Sequence, residues 1–195
     1  RTGSQPGVGG AIFTLNPQVD DIPETYFPEH EGIRLLAMGG GNREGGSGCL
    51  CPESALLRAL MAHLLFNSED VVVMDMEAGV EHLTRGTSQG MDVLLVVVEP
   101  GRRSLETAAR VKKMGADLGI KRVWAVANKV RDEKDRAFVL QELDDLEVVA
   151  SIPYTREVVE SGMDRGGIAE LLDGPVGEEI RKLQLRLEQE FAPST

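Results

Sequence analysis

Apolar positions in this chain gather into short dense runs, at residues 33–38, 71–74, 93–98, 123–127 and 148–152, all rich in Val, Leu and Ala. None alternates strictly with polar residues, which is how strands covered on both faces of a parallel sheet read. Between the runs the spacing turns helical. Leu56, Leu57, Leu60 and Leu64 follow Pro52 and Ser54, a helix-start signal. Ser104 predicts the cap of a second helix carrying Leu105, Ala108, Met114 and Leu118 and stopping at Gly119. A third helix is predicted over 132–146 and an amphipathic one over 177–191. Strands alternating with helices predict an α/β fold, a doubly wound, mostly parallel sheet.

No internal repeat interrupts this pattern, and 195 residues with 42% apolar content predict one domain over 1–195 with a real core. Two stretches fall outside it. Residues 1–32 hold Pro6, Pro17, Pro23 and Pro28 with Gly7, Gly9 and Gly10, and predict an irregular segment. Residues 39–53 form a Gly-rich loop, with six glycines from Gly39 to Gly48, that leads into Cys49-Leu50-Cys51.

Charge narrows the function. Lys plus Arg number 21 against 32 Asp plus Glu, a net charge of −11 that repels nucleic-acid phosphates and anionic membrane surfaces. Five Phe, two Tyr and one Trp leave little for base-stacking platforms. The apolar runs are strand-sized and too short to span a bilayer. No secretory signal pattern opens the chain, and two cysteines make no disulfide framework, so the chain reads as cytoplasmic.

Three places carry candidate chemistry. Cys49 and Cys51 precede a helix start, where thiolate is favoured over thiol and becomes a metal ligand. The pair supplies half of a tetrahedral set, and a two-fold dimer would complete four sulfurs. The competing assignment is two small hydrophobes, for which a Gly-rich loop offers little core. Asp75 ends the run 71–74 in Met74-Asp75-Met76-Glu77-Ala78-Gly79, the form of a Walker-B carboxylate that helps hold Mg²⁺, or else the cap of a following turn. Asn128 and Lys129 follow the run 123–127; the Asn amide matches the paired donor and acceptor of an adenine edge, although Asn-Lys also suits a turn. Pro153 ends the last run, beside such a base or simply terminating the strand. Glu77, Glu81 and His82 offer a polar cluster near a phosphate. The chain contains no Gly-Lys dipeptide, so the usual phosphate-cradling G-x-x-x-x-G-K-[ST] loop is absent from these residues.

These stretches, together with Gly10-Ala11-Ile12-Phe13-Thr14-Leu15-Asn16-Pro17, Val19-Asp20-Asp21-Ile22-Pro23-Glu24, Gly46-Ser47-Gly48-Cys49-Leu50-Cys51-Pro52-Glu53 and Glu99-Pro100-Gly101-Arg102-Arg103-Ser104-Leu105-Glu106-Thr107, resemble the CooC-type accessory ATPases of nickel-containing carbon monoxide dehydrogenase, in the MinD/ParA-like deviant P-loop group. The resemblance runs from Arg1 to about Tyr154. It implies a P-loop NTPase-like fold lacking its N-terminal strand and P-loop here. It also implies that Cys49 and Cys51 bind nickel or zinc at a homodimer interface, Asp75 serves as the Walker-B carboxylate with ATP and Mg²⁺, and Asn128 reads adenine with Lys129 and Pro153 beside it. The client is then carbon monoxide dehydrogenase, with neither nucleic acid nor membrane as partner. Because the likeness begins partway along the family pattern and the first residue is Arg1, the chain is expected to be part of a longer ATPase. The isolated part is expected to be inactive as an ATPase and prone to aggregate. The alternatives are a non-hydrolytic, thiolate metal-binding dimer and a MinD/ParA-like positioning ATPase with incidental cysteines.

Overall fold

The computed structural model describes residues 14–37, 51–67, 71–76, 79–84, 86–161 and 168–191. The chain divides into two compact units, Arg1–Gly90 and Met91–Thr195.

In the first unit, α1 (Ile22–Tyr26) begins with Pro23 in its first turn, where a missing N–H is harmless. β1 (Glu29–His30) and β2 (Ile33–Arg34) form an antiparallel hairpin that pairs His30 with Ile33. Its two turn residues, Glu31 and Gly32, both have positive φ (50° and 79°), as a tight hairpin matching strand twist requires. α2 (Cys51–Asn67) follows, then α3 (Glu81–Thr84). Leu56, Leu60 and Leu64 share one face of α2 by helical spacing, and they pack with Val19, Ile22 and Phe27 into this unit's core.

Two expectations are corrected here. The irregular reading of 1–32 gives way, within 14–37, to α1 and the hairpin. The strands predicted at 33–38 and 71–74 shrink to Ile33–Arg34 and to no strand at all; Val71 and Val73 are 91% and 86% exposed. An apolar run becomes a strand only where a neighbour offers its N–H and C=O groups, and among the described residues no strand pairs with 71–74.

The second unit follows the predicted alternation closely. β3 (Val93–Val98), β4 (Arg122–Val130) and β5 (Glu147–Pro153) form a parallel sheet in the order β3-β4-β5. α4 (Arg102–Asp117) and α5 (Glu133–Glu142) are the crossovers. α6 (Arg156–Ser161), a 3₁₀ turn (Ile168–Asp173) and α7 (Pro175–Phe191) complete it. β4 is central and buried on both sides. Val123, Ala125 and Ala127 face Leu105, Ala108, Val139 and Leu143 of the α4–α5 side. Trp124 points the other way, with the Phe191 ring of α7 6.0 Å from its own. The result is an α/β sheet with helices on both faces, the architecture of a doubly wound fold.

Helix ends explain the boundaries. Gly101, not Ser104, is the N-cap of α4, so the helix starts three residues earlier than predicted. At its other end Gly119 N donates to Ala116 O and Ile120 N to Gly115 O, a Schellman closure that needs the φ of 75° at Gly119. Asp132, the predicted start of the third helix, is the N-cap of α5, its carboxylate accepting from Asp135 N at 2.9 Å. Asp135 in turn accepts from the backbone N–H of Arg131, the residue before the cap, at 3.1 Å.

Candidate functional site

Parallel strands end on one side of a sheet, and in open α/β folds that rim is where ligands sit. The C-terminal ends of β3, β4 and β5 bring Glu99, Asn128, Lys129, Pro153 and Tyr154 to one such rim. Their placement follows from the sheet register.

The β4–β5 ladder is irregular twice. Ala125 pairs with Val148 but Val126 pairs with Ala150, so β5 carries one extra residue. Ala127 then pairs with Ser151 and Val130 with Pro153, so Asn128 and Lys129 together oppose Ile152. The second bulge undoes the first and restores the original offset at the rim. Bulges re-aim side chains, and they gather next to functional sites. Tyr154 N donates to Val130 O at 2.9 Å and closes the strand end beyond Pro153.

Lys129 is the residue that makes the second bulge, with φ at 57° in the left-handed region. A non-glycine residue there costs about 1–2 kcal/mol. Its ammonium meets Glu99 Oε1 at 2.6 Å, but both side chains are 56% exposed. A pair that open to water is worth under about 1 kcal/mol. Strain therefore outweighs the ion pair, and stability alone gives no reason for a lysine at this position. Glu99 is itself anchored, its N–H donating to Ser104 Oγ at 3.0 Å in the first turn of α4.

Asn128 is half-buried, and its Oδ1 accepts from Lys129 N at 3.0 Å. One lone pair of that oxygen is used. The second lone pair and both amide protons remain for a ligand. An acceptor beside a donor fits an adenine edge. Just past the rim, Arg131 grips Asp135 through Nε (2.7 Å) and Nη2 (2.8 Å). The guanidinium's hydrogen bonds hold the Asp135 carboxyl below its usual range, against the opposing effect of burial.

The remaining candidates are placed as follows. Asp75 belongs to the first unit and is exposed in an unpaired segment. Cys49 lies outside the described residues, as does Glu77. Cys51 is the first residue of α2, its side chain outside the description together with those of Glu81 and His82. Among the described residues no three His, Cys, Asp or Glu side chains gather in a metal-holding group. The structure thus brings Asn128, Lys129 and Pro153 together. It adds Glu99 and Ser104, which sequence reading gave no role at the rim; an acid at a strand end just before Pro100-Gly101 was the available signal.

No protein-family model matches the chain. It is 44% identical over 169 residues to the carbon monoxide dehydrogenase accessory protein CooC of Rhodospirillum rubrum, covering 87% of this chain and 63% of that protein. It is 43% identical over 185 residues to an uncharacterized ATP-binding protein of Methanocaldococcus jannaschii, covering 94% of this chain and 71% of that one. The chain thus spans less than two thirds of the length of the CooC protein it matches. Among solved structures, the MinD cell division protein of Aquifex aeolicus superposes with a TM-score of 0.59 at 19% identity, over 77% of this chain and 68% of that chain, which shows the fold. Sequence identity makes this chain a member of the family of ATP-binding proteins to which CooC belongs, and its α/β architecture is MinD-like.

Proposed function

We propose that this chain belongs to a cytoplasmic accessory ATPase that couples ATP binding, hydrolysis and dimerisation to the insertion of nickel into carbon monoxide dehydrogenase. The observation that carries the reading is 44% identity, over 87% of the chain, to a protein named as an accessory of carbon monoxide dehydrogenase. The ATP-binding relative supports nucleotide as the fuel.

The residues fit the groups the reading requires. The unused lone pair and amide protons of Asn128 suit adenine, with Pro153 at the adjoining strand end. Asp75 offers an exposed carboxylate, the hard oxygen donor that Mg²⁺ takes alongside phosphate and water. Magnesium, when bound with ATP, offsets phosphate charge. Cys49 and Cys51 are soft thiolate donors suited to nickel or zinc as cargo, and a second copy would complete the ligand set. Among the described residues no helix is long and apolar enough to cross a membrane. The last described helix, α7, packs on β5 of its own sheet, which favours the accessory role over a positioning ATPase.

The test is reconstitution with the full-length protein. Nickel-free carbon monoxide dehydrogenase is incubated with limiting nickel, with and without the accessory protein and ATP. The expected result is activation that needs both. Metal binding and transfer indifferent to nucleotide would instead establish the thiolate metal-binding dimer. The 195-residue chain alone, which has no Gly-Lys dipeptide, is expected to release no phosphate from ATP.

A further inference from the structure

The strained lysine at the rim has a use that stability does not supply. Adenine and guanine share the N7 acceptor but differ at position 6, where adenine carries an amino donor and guanine a carbonyl acceptor. An asparagine amide whose oxygen is held toward position 6 pairs with adenine at both ends and sets oxygen against oxygen with guanine. An amide free to flip can turn its nitrogen to donate to the guanine carbonyl, which relaxes that discrimination.

At Asn128 the flip is fixed by the backbone. Lys129 N donates to Asn128 Oδ1 at 3.0 Å, and that donor has no favourable contact with the Nδ2 end. The donor stands where it does because Lys129 occupies the left-handed region at the bulge. Lys129 is in turn tethered across the rim to Glu99 at 2.6 Å, and Glu99 to Ser104 Oγ at 3.0 Å. A chain of contacts from α4 through the end of β3 thus sets the polarity of an amide at the end of β4.

We propose that Glu99 and Lys129 are positioning residues for base selection, holding the β4 bulge so that the Asn128 amide accepts from the adenine amino group and rejects the guanine carbonyl. The inference rests on the proposed adenine reading by Asn128. It goes beyond that reading by naming what orients the reader.

The experiment measures ATP and GTP affinities of the full-length protein by competition against a fluorescent ATP analogue, alongside its unfolding midpoint. Lys129→Gly keeps the left-handed φ at no steric cost but frees the bulge and removes the tether. The expected result is a roughly tenfold loss of ATP-over-GTP preference, with the unfolding midpoint unchanged or raised. Glu99→Gln should reduce the preference in the same direction, and the double variant Glu99→Lys with Lys129→Glu should restore it. A merely structural pair would lower the midpoint and weaken both nucleotides equally, which overturns the proposal. Asn128→Ala separates the two levels. If it abolishes the preference while Lys129→Gly preserves it, positioning is wrong and base reading stands. If Asn128→Ala leaves the preference intact, both fall.

Discussion

The guanidinium carbon of Arg186 lies 4.3 Å from the centre of the Trp124 ring, joining the last described helix to the central strand. The contact is one part of a lattice. Arg186 donates to Glu147 of β5 through Nε at 2.9 Å and to Glu190 through Nη1 at 2.9 Å. Glu190 also accepts from Arg122 of β4 at 2.9 Å. Glu179, earlier in α7, accepts from Ser151 N of β5, the outer strand among the described residues, at 2.8 Å. The helix covers the sheet face with its aromatic and the long stem of its arginine, and its acid satisfies a backbone N–H of that strand.

Trp124 is the only tryptophan in the chain and 3% exposed, so its emission reports on this docking. Arg186→Ala removes the cation above the ring and one of the two partners of Glu190. The expected outcome is a red-shifted, more quenchable emission with the fold retained. Trp124→Ala should lower stability by about 3–5 kcal/mol, the usual effect of emptying a large aromatic site in a core. An unshifted spectrum in Arg186→Ala would mean that the helix docks through Phe191 alone.

Acid sensitivity follows from two carboxyls. Asp135 is held below its ordinary pKa by hydrogen bonds from Arg131, and Glu190 by those from Arg186 and then Arg122. A carboxyl whose folded pKa lies below its unfolded one contributes stability that is fully present above the unfolded value. That contribution is lost as pH falls through the folded value. The window therefore lies below about pH 4, the ordinary carboxyl range. Asp135→Asn should have a lower urea midpoint than the native protein at pH 7, and the gap should narrow progressively as pH falls below about 4. Parallel midpoint curves would show that the Arg131–Asp135 contact adds nothing.

Much of the second unit was legible because its signals are local. The third helix starts within one residue of the predicted Asp132, Gly119 ends α4, and the run 93–98 is a strand with the predicted bounds. The failures share a different cause. The run 71–74 has the composition of a buried strand, yet a strand exists only when a distant segment supplies its ladder, and sequence pattern does not report that partner. The rim was half legible for the same reason. Asn128 and Pro153 stood out by type and by their place at strand ends. The bulge that aims Asn128 depends on a register between β4 and β5, and no propensity scale predicts a left-handed lysine. Glu99 gained meaning only when Lys129 was found beside it.

Three glycines in the second unit should respond differently to alanine. At Gly119 a side chain meets open space, but φ is 75°, so the expected loss is roughly 1–2 kcal/mol from backbone strain alone. At Gly115 an added Cβ would lie 2.9 Å from Cγ2 of Val123, a side chain stiff at χ1 but free of backbone, and the gain in helix propensity offsets part of the clash. At Gly177 the Cβ would overlap the Leu172 carbonyl, which is backbone and fixed by the 3₁₀ turn. Gly177→Ala should be the most damaging of the three, forcing α7 away from that turn and costing at least about 1–3 kcal/mol. Urea midpoints rank them; Gly119→Ala proving worse than Gly177→Ala would contradict the packing described here.

The cysteine pair fixes a metal stoichiometry. Two thiolates from one chain leave a tetrahedral ion half-ligated, so tight binding requires a second copy or another donor. Full-length protein titrated with nickel or zinc should bind one ion per two chains, with sulfur-to-metal absorption in the nickel form. Cys49→Ser and Cys51→Ser should each lose the ion and the absorption, because removal of either sulfur from both copies halves the ligand set. Nucleotide affinity should survive both substitutions if the nucleotide is read at the β3–β4–β5 rim and the metal elsewhere. Binding that persists at one ion per chain in either variant would remove the cysteines from the metal site and, with them, the shared four-sulfur centre. Loss of metal with ATP binding intact would leave the nickel-delivery reading standing and exclude a positioning ATPase whose cysteines are incidental.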